Sequence, residues 1–164
     1  TPQENAQKYF AKYNKQKRTF EALSELIQET ADEIRYLESV SNSPDIALSE
    51  EDLGQIKEEL TASGYVRRKF TKKKVKLTNK PMHYISSDGY DIYVGKNNIQ
   101  NDELTFSFAN GGDWWFHAKG APGSHVIVKT NGDELPDRTF EEAGRLAAYY
   151  SKNRGSDKVE IDYI

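Results

Sequence analysis

Ten positions constrain the first quarter of this chain. Ala6, Tyr9, Tyr13, Gln16, Phe20, Leu23, Ile27, Thr30, Ile34 and Leu37 step by three and four residues without a break. Seven of the ten are large and apolar, and no Gly or Pro falls between Pro2 and Pro44. Thr1 can cap the N-terminus, and Pro2 is tolerated in a first turn. The pattern predicts one helix from residue 2 to about residue 40, roughly 55 Å long at 1.5 Å per residue. A seam that long needs a partner helix. A core helix of an ordinary bundle fits less well, because the pattern outlasts a typical globular helix.

Composition agrees with an exposed helical arm. The charged fraction is 30%, the hydrophobic fraction 36%, and mean hydropathy is -0.84. No apolar run is long enough to span a membrane, and no signal-peptide pattern is present. The absence of cysteine excludes a disulfide framework, a thiol nucleophile and a cysteine zinc site, and fits a reducing compartment.

The net charge of -3 hides an uneven distribution. Residues 1–64 hold seven basic and thirteen acidic side chains, whereas residues 65–164 hold sixteen and thirteen. The boundary is a strip of one sign: Arg67, Arg68, Lys69, Lys72, Lys73, Lys74, Lys76 and Lys80, with no acid between Glu59 and Asp88. Interleaved Tyr65, Phe70 and Val75 suit a strip that contacts phosphates, although a solvated linker fits the charges equally well.

The expected organisation is a helical arm over 1–64 followed by a domain over 65–164. Within the arm, a loop covers Ser41 to Leu48. A short helix then starts at a Ser49/Asp52 capping box, carries the stripe Leu53, Ile56 and Leu60, and ends at Gly64. In the domain, Met82–Ser86 and Tyr90–Gly95 flank Asp88-Gly89 as a β-hairpin, with Ile85 near Ile92 and Val94. Lys96 to Asp102 reads as a polar turn, and Glu103 to Ala109 as either a short helix or a strand. Asp113–Lys119 and His125–Thr130 read as strands. Thr139 and Glu142 suggest a capping box for a helix from Phe140 to about Ser151, with Ala143, Leu146, Ala147 and Tyr150 facing inward. A last strand covers Lys158 to Ile164. The fold class is α+β: a mostly antiparallel sheet and one main packing helix, preceded by a long coiled-coil-type helix.

The chemistry concentrates in D-W-W-F-H-A-K-G-A-P-G-S-H-V-I, from Asp113 to Ile127. Strand alternation puts Trp114, Phe116 and Ala118 on one face and Trp115, His117 and Lys119 on the other. Trp115 offers a stacking surface for an unpaired base beside His117. In the loop after them, Gly123 lets backbone approach a phosphate and successive amides can form an anion nest. Ser124 can donate a hydroxyl hydrogen bond, and His125 and Lys119 can add charge. Asn97, Asn98, Asn101 and Asp113 can support the loop or read base edges. A structural role for the tryptophans and the Pro-Gly loop is the competing reading. Catalysis is weaker: His117 and His125 as an acid–base pair with Lys119 would cleave RNA, but the spacing does not fix their orientation. No metal-ligand spacing is diagnostic, and no cofactor is implied.

That stretch, with V-G-K-N-N-I-Q-N-D before it and E-E-A-G-R-L-A-A-Y-Y-S and V-E-I-D-Y after it, resembles the C-terminal NFACT-R domain of the NFACT family. T-P-Q-E-N-A-Q-K-Y-F-A-K-Y-N-K looks like the second arm of that family's middle coiled coil. The resemblance covers essentially the whole chain and implies a cytoplasmic translation-rescue factor. Such a factor binds stalled large ribosomal subunits carrying peptidyl-tRNA and directs alanine tailing in bacteria. The implied partners are tRNA, large-subunit RNA and a coiled-coil helix, the last being a missing first arm or a second copy of this chain. The family's N-terminal domain, helix-hairpin-helix segment and first coil arm have no counterpart here. The C-terminal domain is expected to continue past Ile164, so no tailing activity is expected of this piece alone. Family members labelled fibronectin-binding imply a cell-surface adhesin as the alternative.

Overall fold

The computed structural model describes residues 1–67 and 80–164. Their contacts divide into two compact units, Thr1–Leu37 and Glu38–Ile164. The elements, in order, are α1 (Pro2–Ile46), α2 (Glu50–Ala62), β1 (Met82–Ile85), β2 (Asp91–Val94) and α3 (Asn98–Glu103). A π turn (Leu104–Phe108) follows, then β3 (Trp114–Ala118), β4 (Val126–Lys129), α4 (Asp137–Tyr149) and β5 (Ile161–Tyr163). The α+β expectation holds.

Thr1 starts α1 as its cap, its hydroxyl accepting the Glu4 N–H at 3.3 Å. In the first unit the apolar seam is open to solvent, with Phe20 73% and Ile27 68% exposed. The helix then runs past the expected loop, through Pro44 to Ile46. Proline there removes one ladder hydrogen bond and crowds the carbonyl of the preceding turn, which together cost about 3 kcal/mol. Burial of Val40 and Ile46 offsets it, since each fully buried aliphatic side chain contributes roughly 1.5–3 kcal/mol.

The capping box of α2 forms as read, with Ser49 and Asp52 bonded reciprocally, and Gly64 turns the chain at φ 84°. The apolar stripe does not hold. Ile56 is buried but Leu53 is exposed, because the inward face is polar: Asp52 and Glu59 are buried.

The sheet has five antiparallel strands in the order β1-β2-β4-β3-β5. Gly89, at φ 89°, supplies the left-handed turn residue between β1 and β2. The hairpin is set one residue from expectation: Tyr84 faces Ile92 and Ile85 faces Asp91, so Ile85 points to the other face and is exposed. A one-residue step exchanges faces along a whole strand.

One face of the sheet packs on α4. Phe116, Ile92, Val94, Val126 and Val128 form the core with Ala143 and Ala147, and Leu146 and Tyr150 pack against it. Phe116 is fully buried, between Trp114 and the edge-on ring of Phe140 at 5.1 Å. The expected Thr139/Glu142 capping box does not form, since α4 begins at Asp137 with Pro136 as its cap residue. Those side chains tie α4 to the hairpin turn instead: Thr139 bonds Ser86 and Asp88, and Glu142 accepts the Ser87 N–H at 2.8 Å.

Candidate nucleic-acid interface

The face opposite α4 carries the chemistry. Strand register aligns His83, Tyr93, Ile127 and Trp115 in one row across β1, β2, β4 and β3. His83 stacks on Tyr93 with centroids 4.7 Å apart. Trp115 stacks on His117 at 5.8 Å and meets the edge of His125 at 5.2 Å. His117 and His125 meet edge to face at 5.1 Å. The alternation expected of β3 holds, with Phe116 and Ala118 fully buried on the α4 side.

The π turn covers part of this face, as such turns often do near functional sites. It sets Phe108 edge-on to Tyr93 at 4.7 Å and Thr105 Oγ1 2.7 Å from His125 Nδ1. Phe106 projects from the same turn and is exposed. The segment expected as a polar turn is α3, which begins because Asn97 Oδ1 caps the Gln100 N–H. Sequence reading missed Tyr93, Thr105, Phe108 and His83. Strand alternation could have found Tyr93, which sits between inward-facing Ile92 and Val94, but no signal marks a π turn.

Electrostatics make the centre of this face neutral. Burial pushes His125 down to about 4, helped by the neighbouring His117. Burial also lowers His117, against the opposing pull of Asp162 and a hydrogen bond to the Gly123 backbone. At pH 7 both rings are therefore uncharged hydrogen-bonding groups, and the charge expected of His125 is absent. The indole Nε1 of Trp115 is buried and takes no hydrogen bond among the described residues.

The asparagines act as supports. Asn101 holds the site loop from both ends, since its Oδ1 accepts the His125 N–H at 3.0 Å and its Nδ2 donates to Gly123 O at 3.2 Å. Gly95 makes this possible: a Cβ there would stand 2.2 Å from Asn101 Oδ1. Asn97 donates to Gln55 and Asn98 to Glu59 and Ser39, while Lys96 Nζ lies 2.9 Å from the buried Asp52 carboxylate. The segment Lys96–Asn101 thus fastens α2 and the end of α1 to the sheet.

Asp113 has a similar structural use. It pairs with Lys129 and accepts the N–H groups of Asn110 and Thr130. Burial would raise its carboxyl, but these partners outweigh burial and hold it below the usual range.

The loop after β3 is less open than a phosphate nest requires. The N–H groups of Ala121, Ser124 and His125 already bond to Ala118, Tyr150 and Asn101. Ser124 is buried, with Oγ unpartnered among the described residues, and Gly123 bridges to Ser151. Lys119 is exposed, 3.5 Å from Glu160. Of the basic strip, Arg67 and Lys80 are described and exposed. Arg68, Lys69, Lys72, Lys73, Lys74 and Lys76 lie outside the described residues. The structure thus brings Trp115, His117, His125, Gly123 and Asn101 together. Among the described residues no group of three or more His, Asp or Glu could hold a metal ion. No described helix is long and apolar enough to cross a membrane.

Two family models match the chain. "NFACT N-terminal and middle domains" covers residues 1–79, and "NFACT protein RNA binding domain" covers residues 80–164. Among curated proteins, an "Rqc2 homolog RqcH" of Streptococcus suis is 47% identical over 165 residues, and its Bacillus subtilis namesake is 41% identical over 166. These alignments take in 100% and 99% of this chain but only 29% of each relative. Among solved structures, the C-terminal part of the fibronectin/fibrinogen-binding protein from Streptococcus suis superposes with a TM-score of 0.89 at 46% identity. That match covers 100% of this chain and 65% of the other.

Proposed function

The chain belongs to the NFACT family, and from that premise we propose that it is the RNA-contacting portion of a ribosome quality-control factor. In this reading it engages tRNA or large-subunit RNA on stalled large ribosomal subunits and supports alanine tailing performed by the longer protein. The observation that carries the reading is the ring-lined face of the sheet around Trp115, within the segment matched by the RNA-binding model. Stacking on an aromatic platform is worth about 1–3 kcal/mol per base and needs no charge. The basic strip from Arg67 to Lys76 supplies the complementary part, phosphate contacts that release counterions.

The reading assigns no catalysis to this chain. RNA cleavage by an acid–base pair needs one protonated partner, and the lowered pKa values of His117 and His125 leave both neutral at pH 7. A second reading, fibronectin binding at the cell surface, is favoured by the name of the solved Streptococcus suis relative.

One experiment separates the two: titration of the chain with tRNA and, in parallel, with fibronectin at two salt concentrations. Expected is tRNA binding that weakens steeply with salt. The variant Lys72→Ala/Lys73→Ala/Lys74→Ala should reduce the slope of log K against log salt by about 2, at roughly 0.7 per single-strand phosphate contact. Salt-insensitive fibronectin binding without tRNA binding would replace this reading with the adhesin.

A further inference from the structure

The rings on the outer sheet face do not form one continuous platform. In the row His83, Tyr93, Ile127 and Trp115, Ile127 is fully buried and Phe108 of the π turn stands edge-on to Tyr93 at 4.7 Å. The π turn thus roofs the middle of the row and leaves a ring accessible on either side of it. One is Trp115. The other is His83, whose ring lies 16° from parallel on Tyr93 while its side chain is still 46% exposed. Granted RNA contact at Trp115, on which this step rests, we propose that His83, backed by Tyr93, is a second stacking position for an unpaired base of the same strand.

His83 is suited to that use in its packing, its orientation and its place in the sheet. Tyr93 covers one face of the imidazole, so a base on the other face extends an existing stack. Asp91 Oδ1 lies 2.6 Å from His83 Nε2 and fixes the ring plane, which leaves little side-chain freedom to lose on binding. β1 is an edge strand of the described sheet, and exposed Lys80, two residues before it, sets a cation at that edge for a phosphate. A nucleic-acid strand crossing that edge toward Trp115 meets His83 first.

The register also sets a length. Neighbouring β-strands lie about 4.8 Å apart, so three spacings put His83 roughly 14 Å from Trp115. A stacked single strand advances about 3.4 Å per nucleotide. About four such steps bridge the gap, and one step does not.

Anisotropy of fluorescein-labelled octauridylate titrated with the whole chain tests the second position. His83→Ala should weaken binding about fivefold or more, as loss of one base–ring stack requires, and His83→Phe, which keeps a ring, should stay within about twofold of the native chain. Diuridylate is too short to reach both rings. Followed through Trp115 emission in the Trp114→Phe background, its binding should be indifferent to His83→Ala. Octauridylate held equally well with and without His83→Ala, while Trp115 emission is quenched, would overturn the second position and leave the Trp115 reading standing. His83 and Tyr93 would then serve only the hairpin, as cross-strand aromatic pairs do. Weakened binding that His83→Phe does not restore would overturn it too, because the ring would not be what binds. Unchanged Trp115 emission with His83 intact would overturn the Trp115 reading and the second position with it.

Discussion

At the scale of single residues, the site depends on groups kept neutral by burial. His125 is the sharpest case, with a folded pKa of about 4 against an ordinary value near 6.5. Its neutral form is favoured by the fold. Its contribution to stability is therefore fully present above about pH 6.5 and is lost as pH falls through 4. Urea unfolding midpoints should decline between those values. His125→Gln should flatten part of that decline, while His117, lowered in the same direction, keeps the rest. Identical pH slopes in the two proteins would contradict the assignment. Sequence alone placed Trp115 and His117 on one face, because strand alternation is a rule of covalent geometry. It did not reveal that His125 would be uncharged. That depends on burial and on the neighbouring His117, which only the tertiary fold brings edge to face with it at 5.1 Å.

At the scale of elements, local rules were reliable where one element decided its own boundary. The Ser49 cap, the Asp88-Gly89 turn and the alternation of β3 all follow from short-range chemistry. They failed where a side chain had a distant use. Thr139 and Glu142 have capping-box spacing, but the hairpin turn competes for both and wins. Lys96 to Asn101 reads as a turn that addresses a ligand, yet most of its polar atoms fasten α2 to the sheet. The centre of that fastening is the Lys96–Asp52 pair, with the Asp52 side chain 1% exposed. Lys96→Met would remove the counter-charge of a buried carboxylate that stays bonded to Leu48 and Ser49, and should cost about 3 kcal/mol. Chemical denaturation measures it, with α2 amides exchanging earlier than in the native chain. A loss within about 1 kcal/mol would mean that solvent reaches Asp52 and that the pair does not hold the helix.

At the scale of the whole molecule, the α+β class, the strand order of the hairpin and the single packing helix were readable from apolar periodicity. The π turn was not, because an i→i+5 bond leaves no repeat in the sequence. That turn completes the face on which the functional account rests. RNA bases stacked on this face would contact Trp115. Trp114→Phe leaves Trp115 as the sole indole, with an aromatic ring kept against Phe140. The most direct measurement is the fluorescence of that variant during titration with an unstructured oligouridylate. Expected is saturable quenching that survives moderate salt in proportion to binding. RNA binding seen by an independent method, with Trp115 emission unchanged at saturation, would contradict it.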